Sequence, residues 1–481
     1  MDPVTAVRLS GAPCRARPMP IAFRKLAREI YHLAWPVLVA QLAAMAFAVI
    51  DTVMAGRYAT EDLAAVGIGA AIYFSVFVAL MGVLLAVTPI VAQLLGAGRH
   101  HEIGEQVRQA AWLTLALAVL SVFVFSYPEP LLAISQASPA VEAKVRAYLA
   151  IAAWGAPAGL GFRLFASYTT AVSLPRVMMV LYLVGLATKI PLNLVFVFGY
   201  LGVAPMGAAG CALATTIVNW LICALAWAWC GVSADYRAYG VFARWSWPRW
   251  NDQKQLIALG LPIGMTFLVD VTAFTFMALF VARLGAASSA AHQIAANVAA
   301  VMYMLPLALG NAVSVLVGQA VGARALERAR ATGMTGILLV IVLAIVSASL
   351  LAAGAATVAS VYSNDGAVRV LAATLLVIVG AYHVFDALLV VTVSALRGYK
   401  RTVVPLACNA IGLWGVGLAG GYVLGLTPAI DLGWLGVRTP LGVPGFWIAA
   451  VVGMAVAAVG IMSYYFVVSA PERARRDLAG A

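Results

Sequence analysis

Residues 370–400 read VLAATLLVIVGAYHVFDALLVVTVSALRGYK. This is one long apolar run with Tyr382, His383 and Asp386 in its interior. A run of about 20 apolar residues is long enough to cross a bilayer as a helix. A bare carboxylate at mid-membrane costs about 2.5–3.5 kcal/mol on insertion scales. It persists there when it faces a cavity, binds a cation or holds a proton. Tyr382 and Asp386 are four residues apart and share a helix face. Asp270 and Asp51 stand in the same situation, each inside an apolar run. These three carboxylates are the candidate working groups.

The composition generalises the reading. The 481 residues are 64% hydrophobic and 10% charged, with mean hydropathy +0.99; a soluble domain is about 25% charged. The runs are continuous rather than alternating, which excludes barrel strands. The fold class is an all-α polytopic membrane protein. The net charge of +12 does not point to nucleic acid, because the basic residues sit in short loops and tails. The five cysteines show no CxxC and no metal-ligand spacing. There is no phosphate-binding loop, HExxH or nucleophile elbow. The chain is therefore read as a non-enzyme with no cofactor, driven by an ion gradient or by another subunit.

Twelve spans are expected, at about 32–56, 63–95, 107–128, 147–173, 177–201, 206–231, 256–282, 289–320, 332–356, 369–397, 403–426 and 445–469. Prolines inside several of them (Pro36, Pro89, Pro157, Pro191, Pro262, Pro306) favour kinks. Loop charge sets the orientation. One side collects Arg8, Arg15, Arg17, Arg24, Lys25 and Arg28, then Arg99, Arg108, Arg244, Arg249, Arg324, Arg328, Arg397 and Lys400, and the tail Arg473, Arg475 and Arg476. The other side has only Arg57, Lys144, Arg146, Arg283, Arg369 and Arg438. That bias places both termini in the cytoplasm. The expected divisions are a basic tail 1–31, a six-helix lobe 32–231, a cytoplasmic linker 232–255, a second six-helix lobe 256–469 and a tail 470–481.

The halves resemble one another. A slide of 226 residues aligns Arg57 with Arg283, Ile68 with Ile294, Val91-Ala92-Gln93 with Val317-Gly318-Gln319, and Gly96-Ala97 with Gly322-Ala323. An even number of spans per copy gives both copies one orientation, related by an axis along the membrane normal. Chance similarity between alanine-rich helices is the competing explanation. The acids are not duplicated: under the same offset Asp51 falls on Met277 and Asp270 on Ala44.

Each half has its own polar centre. In the first, Lys189 and Asn193 lie four apart across Pro191. Lys189 either faces Asp51, which lowers the cost of both charges, or snorkels to the surface. In the second, Asp270, Asp386 and Tyr382 offer hard oxygen ligands to a small cation such as Na⁺. Two nearby carboxylates resist simultaneous ionisation, so one holds a proton or both share a cation; a structural hydrogen-bonded pair is the alternative. Gln293, Asn297, Phe274, Met277, Tyr303 and Phe385 are candidate substrate-lining residues, although at helical spacing such side chains are often plain packing. Arg163 receives no role. Asp62 and Glu105 read as solvated loop charges.

The segments LAWPVLVAQLAAMAFAVIDTVMAG, ATKIPLNLVFVFGYLG, GLPIGMTFLVDVTAF, AAHQIAANVAAVMYMLPLALGNAVSVLVGQAVG and AYHVFDALLVVTVSALRGYK resemble the multidrug and toxic compound extrusion (MATE) family, and its NorM-type bacterial branch in particular. The resemblance spans roughly residues 30–470. It implies twelve helices in two six-helix lobes and antiport of Na⁺ or H⁺ against organic cations by alternating access. It also implies that Asp51 matches the acid of the first helix, Asp386 that of the tenth, and Tyr382 the tyrosine one turn before it. Asn193 matches the second asparagine of an N-I-P-x-N pattern. Asp270 stands where the branch usually has Glu, and Lys189 where the pattern has its first Asn. The expectation is a monomeric secondary exporter of amphipathic organic cations. The competing expectations are a lipid-linked precursor flippase, with a cationic cavity, and a non-transporting membrane scaffold or receptor.

Overall fold

The computed structural model describes residues 23–130, 132, 138–428, 431–432, 437–438 and 440–471. The tail arginines Arg8, Arg15, Arg17, Arg473, Arg475 and Arg476 lie outside them, as does Cys14. Twelve helices are long and apolar enough to cross a membrane. They are α1 (Phe23–Tyr58), α2 (Thr60–Gly96), α3 (His100–Ser126), α4 (Pro139–Ala171), α5 (Pro175–Phe198) and α6 (Ala208–Val232), then α7 (Trp250–Ala282), α8 (Ala286–Gly322), α9 (Leu326–Tyr362), α10 (Gly366–Gly398), α11 (Val403–Leu426) and α12 (Val443–Val468). Helices α1–α6 form one lobe and α7–α12 the other. A two-residue antiparallel ladder, Asp431–Leu432 with Val437–Arg438, lies between α11 and α12.

Two helices start earlier than hydropathy indicates. The first begins at Phe23, within the expected tail, and the seventh at Trp250, within the expected linker. The bases of both helices bury apolar residues in the opposite lobe. Ile30, Leu33 and Ala34 of α1 join the core of the second lobe. Leu256 and Leu259 of α7 join the core of the first. Ile30 and Leu256 are 226 residues apart, as are Leu33 and Leu259. The repeat read from the sequence is thus a physical exchange of helix bases.

The same symmetry seals the lobes along α2 and α8. Gln93 Nε2 donates to the Gly398 carbonyl at 2.9 Å. Gln319 Nε2, its repeat partner, donates to the Ala171 carbonyl at 3.0 Å and to Ser173 Oγ at 2.9 Å. A Cβ on Gly96 would lie 1.9 Å from the Gln319 carbonyl oxygen, and one on Gly322 would lie 1.9 Å from that of Gln93. Glycine at both positions is therefore what lets the helix ends touch. Higher on the seam, Gly82 meets Gly264, and Gly260 meets the Val83 carbonyl. Beneath the seal a cavity of about 840 Å³ opens on the side of the termini, lined in part by Gln93, Arg99, Asp252, Gly322, Arg324 and Lys400. Every hydrogen bond between the lobes among the described residues lies at this end, including Arg328–Glu29 at 2.9 Å and Gln106–Asp252 at 3.2 Å.

The linker is bound, not free. Arg108 of α3 donates to the Gly240 and Val241 carbonyls at 2.8 and 3.0 Å. Trp112 Nε1 donates to the Ser246 carbonyl at 2.9 Å. Glu105, expected to be solvated, is 6% exposed and pairs with Arg108 at 2.7 Å and Arg244 at 3.2 Å. Asp62 is likewise buried: it accepts from the Ala208 N–H at 2.8 Å, capping α6, and from Lys144 at 2.7 Å. Asp62 and Glu105 each take a partner from another segment of the chain, Lys144 and Arg244, while Arg108 holds Glu105 from one turn along the same helix.

Regular α-geometry breaks in two places. In α2 the helix tightens at Leu85–Ala86, where the Thr88 N–H reaches the Leu85 carbonyl; Pro89, which has no N–H, leaves that carbonyl without its usual donor. In α11 residues Ile411–Leu418 are π-helical, a form that occurs mostly as a local bulge and frequently near functional sites.

Replacing Gly96 or Gly322 by Val overpacks the seam, a class of change that costs about 1–3 kcal/mol. The closed arrangement should lose roughly tenfold or more in population. A cysteine placed at the fully buried Ala92 should then react with a water-soluble maleimide at least several-fold faster than in the parent. Unchanged reactivity would show that the glycines do not control closure.

Candidate functional site

In the first lobe the site is built from α1, α5 and α6. Asp51 is 6% exposed, and Lys189 and Asn193 are fully buried. The Lys189 ammonium lies 2.9 Å from both carboxylate oxygens of Asp51. Asn193 Nδ2 donates to Asp51 Oδ1 at 2.8 Å. The four-residue spacing of Lys189 and Asn193 keeps them on one face despite Pro191 between them. Thr215 of α6 completes the shell: its hydroxyl accepts from Lys189 and has two acceptors for its single proton, Asp51 Oδ2 at 3.2 Å and the Cys211 carbonyl at 2.9 Å. The Phe47 ring, one turn before Asp51, lies 5.5 Å from the ammonium. Of the two sequence readings of Lys189, the geometry is the inward one. One acid and one ammonium leave this centre electrically balanced. Asn193 Oδ1 is its one buried polar atom without a partner.

The second lobe is organised differently. Asp270 of α7 accepts a hydrogen bond from Asn409 Nδ2 of α11 at 2.7 Å. Asp386 of α10, 6% exposed, makes no hydrogen bond or ion pair with the described residues. The two carboxylates are within electrostatic range of one another, and Tyr303 of α8 and Tyr382 of α10 lie within range of both. No ammonium enters this cluster; its one cation in range is the Arg397 guanidinium of α10, which forms no ion pair with Asp270. Tyr382 is fixed edge-on between Phe274 and Trp447, with ring centroids at 6.1 and 5.8 Å. Trp447 is fully buried and also faces His292 at 5.8 Å.

The candidate lining residues divide. Phe274 and Met277 lie inside the second lobe, beside a small void also lined by Leu413, Phe446 and Ala450. Gln293 and Asn297 lie one turn apart on an exposed face of α8, and Tyr303 and Phe385 are half-buried. Sequence reasoning missed Thr215, Asn409 and Trp447. Asn409 carried a signal, a lone amide within an apolar run; Thr215 and Trp447 carried none beyond ordinary composition.

Chemically, the first centre holds a carboxylate already neutralised from within. The second holds two carboxylates in range of one another with little compensation. No three His, Cys, Asp or Glu side chains gather as a metal group among the described residues. An oxygen set for a small cation here would therefore combine Asp386 and Asp270 with neutral donors such as the Tyr382 hydroxyl and Asn409 Oδ1, which is buried and unpartnered.

A family model described as MatE matches residues 36–195 and again 262–423. The two matches begin 226 residues apart, the offset of the internal repeat. A protein named probable multidrug resistance protein NorM from Aromatoleum aromaticum is 42% identical over 90% of this chain and 92% of its own. Multidrug resistance protein PmpM of Pseudomonas aeruginosa is 38% identical over 90% and 89%. Among solved structures, the eukaryotic MATE transporter AtDTX14 superposes with a TM-score of 0.83 over 94% of this chain and 98% of its own, at 17% identity.

Opposite charges bound at 2.9 Å within a lobe have a measurable signature. Removing one partner of a buried pair costs about 3–5 kcal/mol, because the other charge is left alone. Lys189→Met and Asp51→Asn should each lower the unfolding midpoint of the detergent-purified protein. The double variant should lie above the sum of the two losses. Strictly additive losses would remove the coupling.

Proposed function

We propose that this chain, which belongs to the MatE family, is a secondary active multidrug exporter that exchanges H⁺ or Na⁺ for amphipathic organic cations by alternating access. Relatives named multidrug resistance proteins, at 42% and 38% identity, support the exporter reading. The observation that carries the coupling is the charge imbalance of the second lobe. Asp270 and Asp386 sit within range of each other without an ammonium, so an ion or a cationic substrate is the natural partner. Binding of one weakens the hold on the other, and that competition is the coupling. Tyr382, one turn before Asp386, supplies a neutral oxygen. Asp51 belongs to the coupling set through the first lobe, where Lys189 sets its charge state. No cofactor is needed, and a single chain in the lipid bilayer suffices.

The excess of Lys and Arg on the side of the termini supports a cytoplasmic location for both, in a bacterial inner membrane. On that orientation the seam of α2 and α8 closes the cytoplasmic end, and this conformation faces outward. Each charge moved down the membrane potential supplies about 2.3 kcal/mol per 100 mV. That sustains a concentration ratio of roughly fifty, taking about 1.4 kcal/mol as tenfold. The lipid-linked precursor alternative predicts a cationic cavity, and the one buried ammonium of the first lobe's centre, that of Lys189, is committed to Asp51.

In proteoliposomes with ΔpH and ΔNa⁺ imposed separately, one gradient should drive efflux of a cationic dye and the other should not. Asp386→Asn and Asp270→Asn should each slow that efflux at least about tenfold, the scale of one lost interaction of 1.4 kcal/mol. Efflux at the parent rate in both variants would end the proposal.

A further inference from the structure

The linker between the lobes holds four aromatic rings out of the fold. Phe242, Trp245, Trp247 and Trp250 are 62, 73, 73 and 72% exposed. The backbone that carries them is fixed to α3. Besides the bonds from Arg108 and Trp112, Gln109 donates to the Trp247 carbonyl at 2.9 Å and accepts from the Arg249 N–H at 2.8 Å. The rings also rest on α3. Trp112 stacks on Trp247 with centroids 6.0 Å apart and planes 13° apart, and meets Trp245 edge-on at 5.5 Å. A large apolar surface held outward by a pinned backbone marks an interaction site.

Two observations identify the partner. The first is continuity with the lipid face of α3. Leu115, Val119 and Phe123 are exposed and follow Trp112 by three, seven and eleven residues, so all four share one face. On a helix that crosses the bilayer, such an exposed apolar stripe meets lipid. The tryptophan cluster prolongs that stripe to the base of the helix, the level at which indole rings favour the headgroup region. The second observation is charge. The buried Glu105 carboxylate has three guanidiniums around it, Arg108 at 2.7 Å, Arg244 at 3.2 Å and Arg249 at 3.7 Å. One acid against three bases leaves a local excess of positive charge. The Arg244 and Arg249 side chains are 64% and 60% exposed, and a guanidinium has five N–H donors, so each has donors left for an outside acceptor. The nearby acids are turned elsewhere. Asp252 lines the cavity between the lobes and accepts from Gln106, and Asp235 accepts from Ser233 at the end of α6.

We propose that residues 242–250, seated on the base of α3, form a platform for anionic phospholipid of the adjoining leaflet, with Trp245 and Trp247 among the headgroups and Arg244 and Arg249 on the phosphate. Rings and guanidiniums alternate along the segment, which suits a ligand that is apolar on one side and anionic on the other. A guanidinium fork takes two phosphate oxygens at once. With both termini in the cytoplasm the leaflet is the inner one, where a basic segment meets negative surface potential. The platform belongs to the first lobe and its role is independent of what the protein exports.

Phosphatidylglycerol and phosphatidylcholine with brominated acyl chains are matched probes: bromine quenches only the tryptophans it reaches, and the two lipids differ in headgroup charge. With the full chain in vesicles, brominated phosphatidylglycerol should quench the parent's emission more than brominated phosphatidylcholine at the same fraction. In the Arg244→Gln/Arg249→Gln variant that excess should vanish, local enrichment of the anionic lipid falling about fivefold for each arginine lost. Glu105 keeps Arg108 there, so its charge stays paired. Arg244→Lys/Arg249→Lys should retain most of the excess, and Trp245→Phe/Trp247→Phe should remove it because the reporting rings are gone. Equal quenching of the parent by both lipids overturns the proposal and leaves the face to a protein partner. An excess that survives the Gln variant, or the loss of both tryptophans, overturns it as well, since the anionic lipid then binds elsewhere.

Discussion

The closed end of the molecule rests on a steric condition that two glycines meet reciprocally. Gly96 admits the Gln319 carbonyl, and Gly322 admits that of Gln93, each at a distance that would place a Cβ only 1.9 Å away. Because the backbones touch, both Gln side chains reach the opposite lobe, at Gly398 and at Ala171. The exchanged bases of α1 and α7 extend the same seam sideways. These contacts combine close backbone approach, side-chain-to-carbonyl hydrogen bonds and apolar packing. They add up while the fit holds and fail together when the helices separate, which is the behaviour of a two-position closure.

Above that seam the two lobes handle buried charge in opposite ways. Each has an acid that accepts from an asparagine amide, Asp51 from Asn193 and Asp270 from Asn409. The first lobe then adds Lys189 and cancels the charge. The second adds Asp386 and increases it. In a medium where an isolated charge is expensive, the first centre is complete without a ligand and the second is not. Any cation that neutralises the second is stabilised by what the fold leaves unsatisfied, and Arg397 offsets part of the imbalance from a distance without forming a pair.

Much of this was legible in the chain itself, and the reasons differ by feature. The spans follow from hydropathy, which depends on each residue's own chemistry. The Asp51–Lys189 contact followed from cost, since each charge was too expensive alone. The repeat followed from matching Arg, Gln and Gly positions. What was not legible depended on neighbours distant in sequence. Asp62 and Glu105 looked solvated because Lys144 and Arg244, and the linker segment that covers Glu105, lie elsewhere in the chain. Arg397 looked like a loop charge because the hydrophobic run ends beside it, whereas α10 continues through Gly398 and turns the side chain inward over Phe267. Trp447 carried no signal in the sequence, and is fully buried against Tyr382 and His292, which come from other helices.

The duplicated parts and the unduplicated parts divide along a physical line. Residues 226 apart build the closure: Ile30 with Leu256, Leu33 with Leu259, Gln93 with Gln319, Gly96 with Gly322. Even the left-handed turn after the seal is repeated, at Gly98 with φ 70° and at Arg324 with φ 56°. Arginine accepts that conformation at a cost of roughly 1–2 kcal/mol. None of the chemical groups obeys the offset: Asp51, Asp270, Asp386, Lys189, Arg163 and Arg397 all fall on apolar residues of the other half. Closing two similar bodies against each other is solved best by a symmetric surface, because one fit then serves twice. Binding an asymmetric ligand between them requires that the charges differ from side to side. Symmetry in the seal and its absence among the buried charges therefore follow from different demands on one duplicated scaffold.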